Sequence, residues 1–379
     1  MKVLQTTFGQ LPISAQDLVP LAAIEPNLVL VFGPVPALQA AADTLAAAFP
    51  GACRAGCSTA GEISLKGVED GTLVVTAVRF ERVCLSQVST PLASMEDSFA
   101  AGKRLASGLP VVGLGAVLIF GQGVHINGSA VLSGMTEMLG PKVPITGGLA
   151  GDGGAFTQTW VLDEKGVSSD RLTCVGLYGE ALEFAHGSFG GWSPFGPARK
   201  VTRCHHNVLF ELDGEPALQV YKRYLGEHAN GLPASGLLFP FAMLGSDHTE
   251  VGLIRTILGV DEAAGSLTLA GDIDPDGYLR LMHASTDALV DGAEAAANAA
   301  KSMQSQSRDG LVLLVSCVGR KLVMGGRVDE EVEAVGQVFG QGATLAGFYS
   351  YGEISPFTPA VECKLHNQTM TVTYMAESA

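Results

Sequence analysis

Short apolar runs and helix-spaced segments alternate along this chain, and the alternation repeats. Leu28 to Phe32 is an unbroken apolar run of strand length, and Ala37 to Ala48 carries apolar residues at helical spacing. Ala52 to Cys57 and Leu73 to Phe80 are two more strand-like runs. The same order returns near the other end as Leu311 to Cys317, Asp329 to Phe339, Thr344 to Ser350 and Thr369 to Tyr374. In each set the second strand leads into a glycine turn of one pattern, G-x4-G-E-I-S, spanning Gly56 to Ser64 and Gly347 to Ser355. Agreement of motif, order and element type argues for a duplicated unit. A degenerate third unit lies between them. It has a strand at Ala116 to Phe120, the loop Gly121 to Gly128, and a helix capped by Ser129 and stopped at Gly140-Pro141. Val143 to Thr146 then leads into Gly147-Gly148-Leu149-Ala150-Gly151-Asp152. Strand, helix and parallel strand make a right-handed crossover with the glycine turns at the carboxyl ends of strands.

Other stretches predict antiparallel pairing. Leu73 to Phe80 with Val83 to Val88, Arg171 to Tyr178 with Glu183 to Gly187, and Ser266 to Ala270 with Tyr278 to Met282 each read as a hairpin. Ser94 to Asp97 is a capping box opening a helix to Ala106, and Ser285 to Met303 is an alanine-rich helix. The fold class expected is α/β. Mixed sheets with flanking helices are built from repeated strand-helix-strand-glycine-turn units in two similar halves. Glycine and proline crowd Gly190 to Pro197, which sets domains at 1–198 and 199–379. The first holds two units, and the second holds one unit plus inserted hairpins.

Composition narrows the class. With 379 residues, 47% of them hydrophobic and 16% charged, the chain has the make-up of a well-packed globular protein. No apolar stretch has the length of a membrane span, and the first residues lack a signal-peptide pattern. Cys53, Cys57, Cys84, Cys174, Cys204, Cys317 and Cys363 are scattered, as expected of reduced thiols in a cytoplasmic protein. A formal charge of −15 repels phosphate backbones, so neither nucleic acid nor an anionic membrane is an expected partner.

Candidate chemistry gathers at the turns. Gly56, Gly61, Gly147, Gly148 and Gly352 let backbone amides approach a ligand closely. Glu62, Glu353 and Asp152 follow as carboxylates that either face a ligand or accept backbone hydrogen bonds. Cys57 and Ser58 occupy a nucleophile-like position, yet G-C-S-T-A-G is no nucleophile elbow and the second copy has Phe348 there. Gly121-Gln122-Gly123 lacks the third glycine of a dinucleotide loop, because Ile126 stands in its place. Asp272 to Gly277 begins like a calcium loop, but His283 replaces the closing glutamate, and a hairpin turn is expected. No zinc-protease or covalent-haem motif appears among the eight histidines. If Val201 to Phe210 is one strand, His206 shares a face with Val208 and Phe210. It then suits either the axial position of a non-covalent haem or a hydrogen-bonded structural role.

The segments Gly56 to Ile63, Gly147 to Asp152, Asn207 to Tyr221 (NVLFELDGEPALQVY), Gly271-Asp272-Ile273 and Gly347 to Pro356 (GFYSYGEISP) together resemble the FIST family. These are bacterial sensory proteins with an N-terminal and a C-terminal FIST domain. The resemblance covers nearly the whole chain and implies ligand sensing rather than catalysis. It implies small ligands such as amino acids or, in stand-alone members, haem that senses nitric oxide. The resemblance further implies that the signal passes to a separate histidine kinase or cyclic-di-GMP enzyme. The chain shows no kinase, GGDEF or receptor segment, so it resembles the stand-alone class; association of like chains stays open. Ligand contacts are expected from Gly56, Cys57, Ser58, Gly61, Glu62, Gly147, Gly148, Asp152, Tyr349, Tyr351, Gly352 and Glu353. Haem, if bound, would take His206, His125, His248 or His283 as its axial ligand. A hydrolase or transferase that uses Cys57 with a distant base is the reading from a different class.

Overall fold

The computed structural model describes residues 1–304, 309–357 and 362–378. Its repeat is threefold. Unit one (2–79) runs strand Lys2–Phe8, helix α1 (Ala15–Ala22), strand Leu28–Gly33, helix α2 (Val35–Ala48) and strand Cys53–Ser58. A small hairpin, Glu62–Ser64 with Gly67–Glu69, and the final strand Leu73–Arg79 complete it. Unit two (84–178) repeats the order with Cys84–Pro91, α3 (Ser98–Ser107), Leu114–Gly121, α4 (Gly128–Leu139) and Ile145–Leu149. Its hairpin is Val161–Asp163 with Gly166–Ser168, and its last strand is Arg171–Tyr178. Unit three (182–377) begins with Leu182–Phe189, where a module of residues 193–283 is inserted. It resumes with α6 (Thr286–Ser302), Gly310–Cys317, α7 (Val318–Met324), α8 (Asp329–Phe339) and Ala343–Ser350. The hairpin Gly352–Pro356 with Cys363–His366 and the strand Met370–Glu377 close it. The module carries an 8-stranded sheet and helix α5 (Ala217–Leu225) around its own core, which includes Leu209, Tyr221, Phe241 and Leu279.

The G-E-I-S segments are strands exchanged between units. Unit one's hairpin joins the sheet of unit three, with Phe348 opposite Glu62. Unit two's hairpin joins unit one, with Val161 opposite Cys57. Unit three's hairpin joins unit two, with Glu353 opposite Gly148. This cyclic exchange gives three mixed 6-stranded sheets, each containing one parallel pair. Their inner faces meet in one core, where Phe32, Phe120 and Phe348 lie with ring centroids 4.7 to 6.1 Å apart. Aromatic packing therefore fills the centre.

All three expected hairpins are absent. Leu73–Arg79 pairs with Lys2–Phe8 and Leu28–Gly33, while Cys84–Pro91 pairs with Arg171–Tyr178 in another sheet. Leu182–Phe189 pairs with Met370–Glu377, and Ser266–Leu269 lies in the module apart from Tyr278–His283. The short links at 80–83 and 179–181 are corners that hand the chain to the next unit. Two caps also differ. Asn127, not Ser129, caps α4 by accepting from Ala130 N, and Ser94 precedes a single 3-10 turn before α3. The glycine-proline stretch near 190 leads into the inserted module, and residue 198 lies within the strand Ser193–His205. His206 sits in the turn after that strand with φ +51°, so strand alternation does not govern where it faces.

One glycine recurs for a steric reason. A Cβ at Gly56, Gly147 or Gly347 would lie 1.9 Å from the carbonyl oxygen of Val31, Ile119 or Leu314 on the parallel neighbour strand. Gly147 also has φ +136°. Gly147→Ala is expected to cost about 2–4 kcal/mol, measured by denaturant unfolding. A loss below about 0.5 kcal/mol would show that the strands separate freely there.

Candidate ligand-binding site

The paired turns serve structure first. Glu62 is buried and accepts from the Thr59 hydroxyl, from Thr72 N at 3.0 Å and from Thr72 Oγ1 at 3.1 Å. Glu353 repeats this with Ser350 Oγ at 2.8 Å, Thr369 N at 3.2 Å and Thr369 Oγ1 at 3.0 Å. Each carboxylate thus ties the exchanged strand to the start of its unit's last strand. Burial raises both carboxyls, Glu353 up to about 8, against the opposing pull of these hydrogen bonds. The hydroxyl three residues before each glutamate, in T-A-G-E and S-Y-G-E, was the legible signal for this role.

The remaining turn residues scatter. Cys57 lies in the central core, and burial pushes its thiol well above the usual range, which makes it a poor nucleophile. Ser58 is buried and donates to Gly151 O at 2.6 Å. Gly61 packs against Lys321, which reaches across from α7 to Ala60 O and Asp70. Tyr349 turns into a buried cluster and donates to Glu331 Oε1 at 2.6 Å. Across the exchanged strand pair Gly148 lies opposite Glu353 and Gly352 opposite Leu149, and a Cβ at Gly148 would lie 3.0 Å from Gly352 O.

Tyr351 and Asp152 act together elsewhere. The Tyr351 hydroxyl donates to Asp152 and accepts from Gly154 N at 3.0 Å. Asp152 also accepts from Phe156 N and Thr157 N at 2.8 Å and from Gln158 N at 2.9 Å. Burial alone would raise this carboxyl, but the Tyr351 and amide hydrogen bonds outweigh it and hold it low. The folded loop lays Phe156 flat on the Tyr351 ring, with centroids 4.1 Å apart and planes 14° from parallel.

That stack forms one wall of a cavity of about 250 Å³ between unit two and the module. Its floor is the loop Gly123 to Gly128, at the carboxyl end of Leu114–Gly121 and the N-terminus of α4. Gln122 Oε1 holds this loop by accepting from Val124 N at 3.1 Å and His125 N at 3.0 Å. Gly123 N donates to Thr159 Oγ1 at 2.7 Å, and a Cβ at Gly123 would lie 1.9 Å from Ala150 O. The facing wall is the module's Asn207, Leu258 and Thr268 to Gly271. Asn127 Nδ2 joins the two bodies through Asp272 Oδ1 at 3.0 Å.

A FIST N domain model matches residues 27–215 and a FIST C domain model matches residues 217–356. The chain belongs to the FIST family. FIST domains are sensory and signalling domains. An uncharacterized protein of Methanocaldococcus jannaschii is 28% identical over 190 residues, 46% of this chain. The match spans about a third (35%) of that relative's length. Cyanuric acid hydrolase from A. caulinodans aligns with TM-score 0.36 and 10% identity, covering 100% of this chain and 99% of that one. A second cyanuric acid hydrolase structure aligns with the same TM-score of 0.36 and 10% identity, covering 99% and 100%.

In this FIST chain, Tyr351 and His125 are the sequence-predicted site residues that line the cavity, with Asp152 directly behind Tyr351. The glycine loop was read from sequence only as a failed dinucleotide loop, Asn207 and Gly271 only as family markers, and Phe156 not at all; only the insertion brings the module wall against the loop. Of the predicted haem ligands, His125 is at the cavity rim, and His206, His248 and His283 are exposed on the module. The buried His366 gave no sequence signal. Its Nε2 lies 3.1 Å from Ser355 O, Phe357 stacks on it at 5.8 Å, and burial lowers its pKa to about 4. It lines a second cavity of about 520 Å³ with Trp192, Met243, Ile254 and Met282. Among the described residues, no three His, Cys, Asp or Glu side chains group to hold a metal ion. None of the described helices is long and apolar enough to cross a membrane.

Proposed function

We propose that this protein is a sensor whose ligand, an amino acid or a metabolite of similar size, occupies the cavity between unit two and the module. One observation carries the reading. Segments far apart in sequence, each a mark of the family resemblance, contribute Leu149, Asn207, Gly271 and Tyr351 to one lining. A volume of about 250 Å³ suits a compact metabolite. The Phe156–Tyr351 shelf offers it an apolar face, and Asn207, whose Nδ2 donates to Leu269 O at 2.8 Å, lines the opposite side. Because the walls belong to two bodies, a bound ligand favours the arrangement in which both touch it. The output is assigned to a histidine kinase or a cyclic-di-GMP enzyme, the partners the family resemblance implies.

The test is a thermal-shift screen with the amino acids, followed by calorimetry on any hit. Phe156→Ala is expected to weaken binding about 3–10-fold, the worth of one aromatic contact. Leu258→Trp, at a half-open rim, is expected to block binding by tenfold or more. Undiminished affinity in both folded variants would overturn the reading.

The His366 cavity favours a second reading, haem-based nitric oxide sensing. A neutral imidazole bordering an apolar space of about 520 Å³ has the chemistry of an axial ligand. Haem iron, if bound, would supply the nitric oxide site, and His366 would hold it through the ring nitrogen that Ser355 O does not engage. Haemin titration should then give a Soret band that His366→Ala removes and Phe156→Ala leaves intact. A flat visible spectrum in wild-type protein would end this reading.

A further inference from the structure

Past Gly271 from the metabolite cavity lies a separate space of about 390 Å³ between α4 and the module. Arg255 lines it and is only 4% exposed. Its Nε donates to Asp272 O at 3.0 Å, and its Nη1 donates to Ile254 O and Leu365 O, both at 3.1 Å. Nη2 takes part in none of these bonds. Among the described residues, no carboxylate oxygen comes within ion-pairing distance of this guanidinium; the charge of Asp272 acts on it only from further away. Burial accordingly pulls Arg255 down to about 10. The other charges of the lining, Asp272, Glu362 and Lys364, already have partners. Asp272 Oδ1 accepts from Asn127 Nδ2 at 3.0 Å, and Lys364 pairs with Glu362. Ser133 Oγ donates to Ser129 O at 3.0 Å, whereas the Ser129 and Thr136 hydroxyls of the same helix face make no such bond among the described residues.

A guanidinium removed from water without a facing carboxylate is costly to bury, and an oxyanion brought to it offsets that cost through charge-assisted hydrogen bonds. We propose that this cavity binds a small oxyanion, a carboxylate or a phosphate, on Arg255 Nη2 with the Ser129 and Thr136 hydroxyls as further donors. The site is a different space from the metabolite cavity, although Leu365 lines both and Asn127 of one lining bonds Asp272 of the other. Because Arg255 also holds Leu365 O, an anion there ties the module to unit three's exchanged hairpin.

Calorimetry on the full chain at constant ionic strength, with inorganic phosphate and separately with acetate and succinate, tests this. Saturable binding of phosphate alone assigns a phosphate group, and binding of the carboxylates alone assigns a carboxylate. Arg255→Gln is expected to weaken binding at least tenfold. The double variant Ser129→Ala, Thr136→Val keeps the charge and is expected to weaken it several-fold. It decides the matter if Arg255→Gln fails to fold by circular dichroism. Leu258→Trp, which fills the other cavity, should leave this affinity unchanged. Absence of saturable heat with all three anions, or affinity unchanged in the double variant, overturns the proposal.

Discussion

Glu331→Gln is expected to lower the unfolding free energy by about 3–5 kcal/mol, the cost of leaving one buried charge unpaired. Glu331 and Arg320 are both fully buried, and Arg320 Nη2 donates to Glu331 Oε2 at 2.7 Å. The carboxylate also accepts from Ser316 Oγ at 2.9 Å and Tyr349 Oη at 2.6 Å. The guanidinium donates to Gly190 O and to Leu289 O, the latter at 2.8 Å. One pair therefore joins α8, the strand Ala343–Ser350, α6 and the segment from which the module departs. Glutamine keeps the shape but leaves the Arg320 charge without its counter-ion. Arg320→Met combined with Glu331→Met should recover only part of the loss, because Ser316 and Tyr349 lose their acceptor. Urea unfolding of the three variants checks this; a Glu331→Gln cost below about 1 kcal/mol would mean that water reaches the pair.

Glu353→Gln is expected to change the pH dependence of stability. The Glu353 carboxyl is raised from 4.5 to about 8, so the folded state holds its proton where the unfolded chain has lost it. A raised pKa means this stability is fully present below about pH 4.5 and lost as pH rises to about 8. The loss is on the order of 4 kcal/mol for a fully buried group. Glutamine mimics the protonated acid, donating to Ser350 and accepting from Thr369. The variant should match wild type near pH 5 and exceed it by several kcal/mol near pH 9. His366, lowered to about 4, contributes the opposite slope below its ordinary value, and taking the difference between variant and wild type cancels it. A difference that stays flat with pH would show that Glu353 is ionised when folded.

Much of the chain was readable from local pattern. The strand runs at Leu28, Leu73, Leu311 and Thr344, and the helices at Ala37, Ser285 and Asp329, all occur within a few residues of their expected positions. Side-chain periodicity and turn chemistry are properties of neighbouring residues, so they survive without tertiary context. The recurring glycine turn was legible for the same reason. Its meaning was not. G-E-I-S reads equally well as a ligand loop or as a strand, and only its partner across the sheet decides between them.

By itself, then, the sequence determined the repeated unit, the mixed α/β class, the glycine turns and the family. The tertiary structure alone decided which strands pair. A link of three or four residues, such as 80–83, serves a hairpin and a corner equally, and alternation within a strand does not name its neighbour. Packing of three sheets around Phe32, Phe120 and Phe348 selected the corners and passed each G-E-I-S strand to the preceding unit of the cycle. The cavity beside Tyr351 depends on the same choice. Its walls come from unit two, the exchanged hairpin and the inserted module, and no local signal joins residues that only long-range burial brings together.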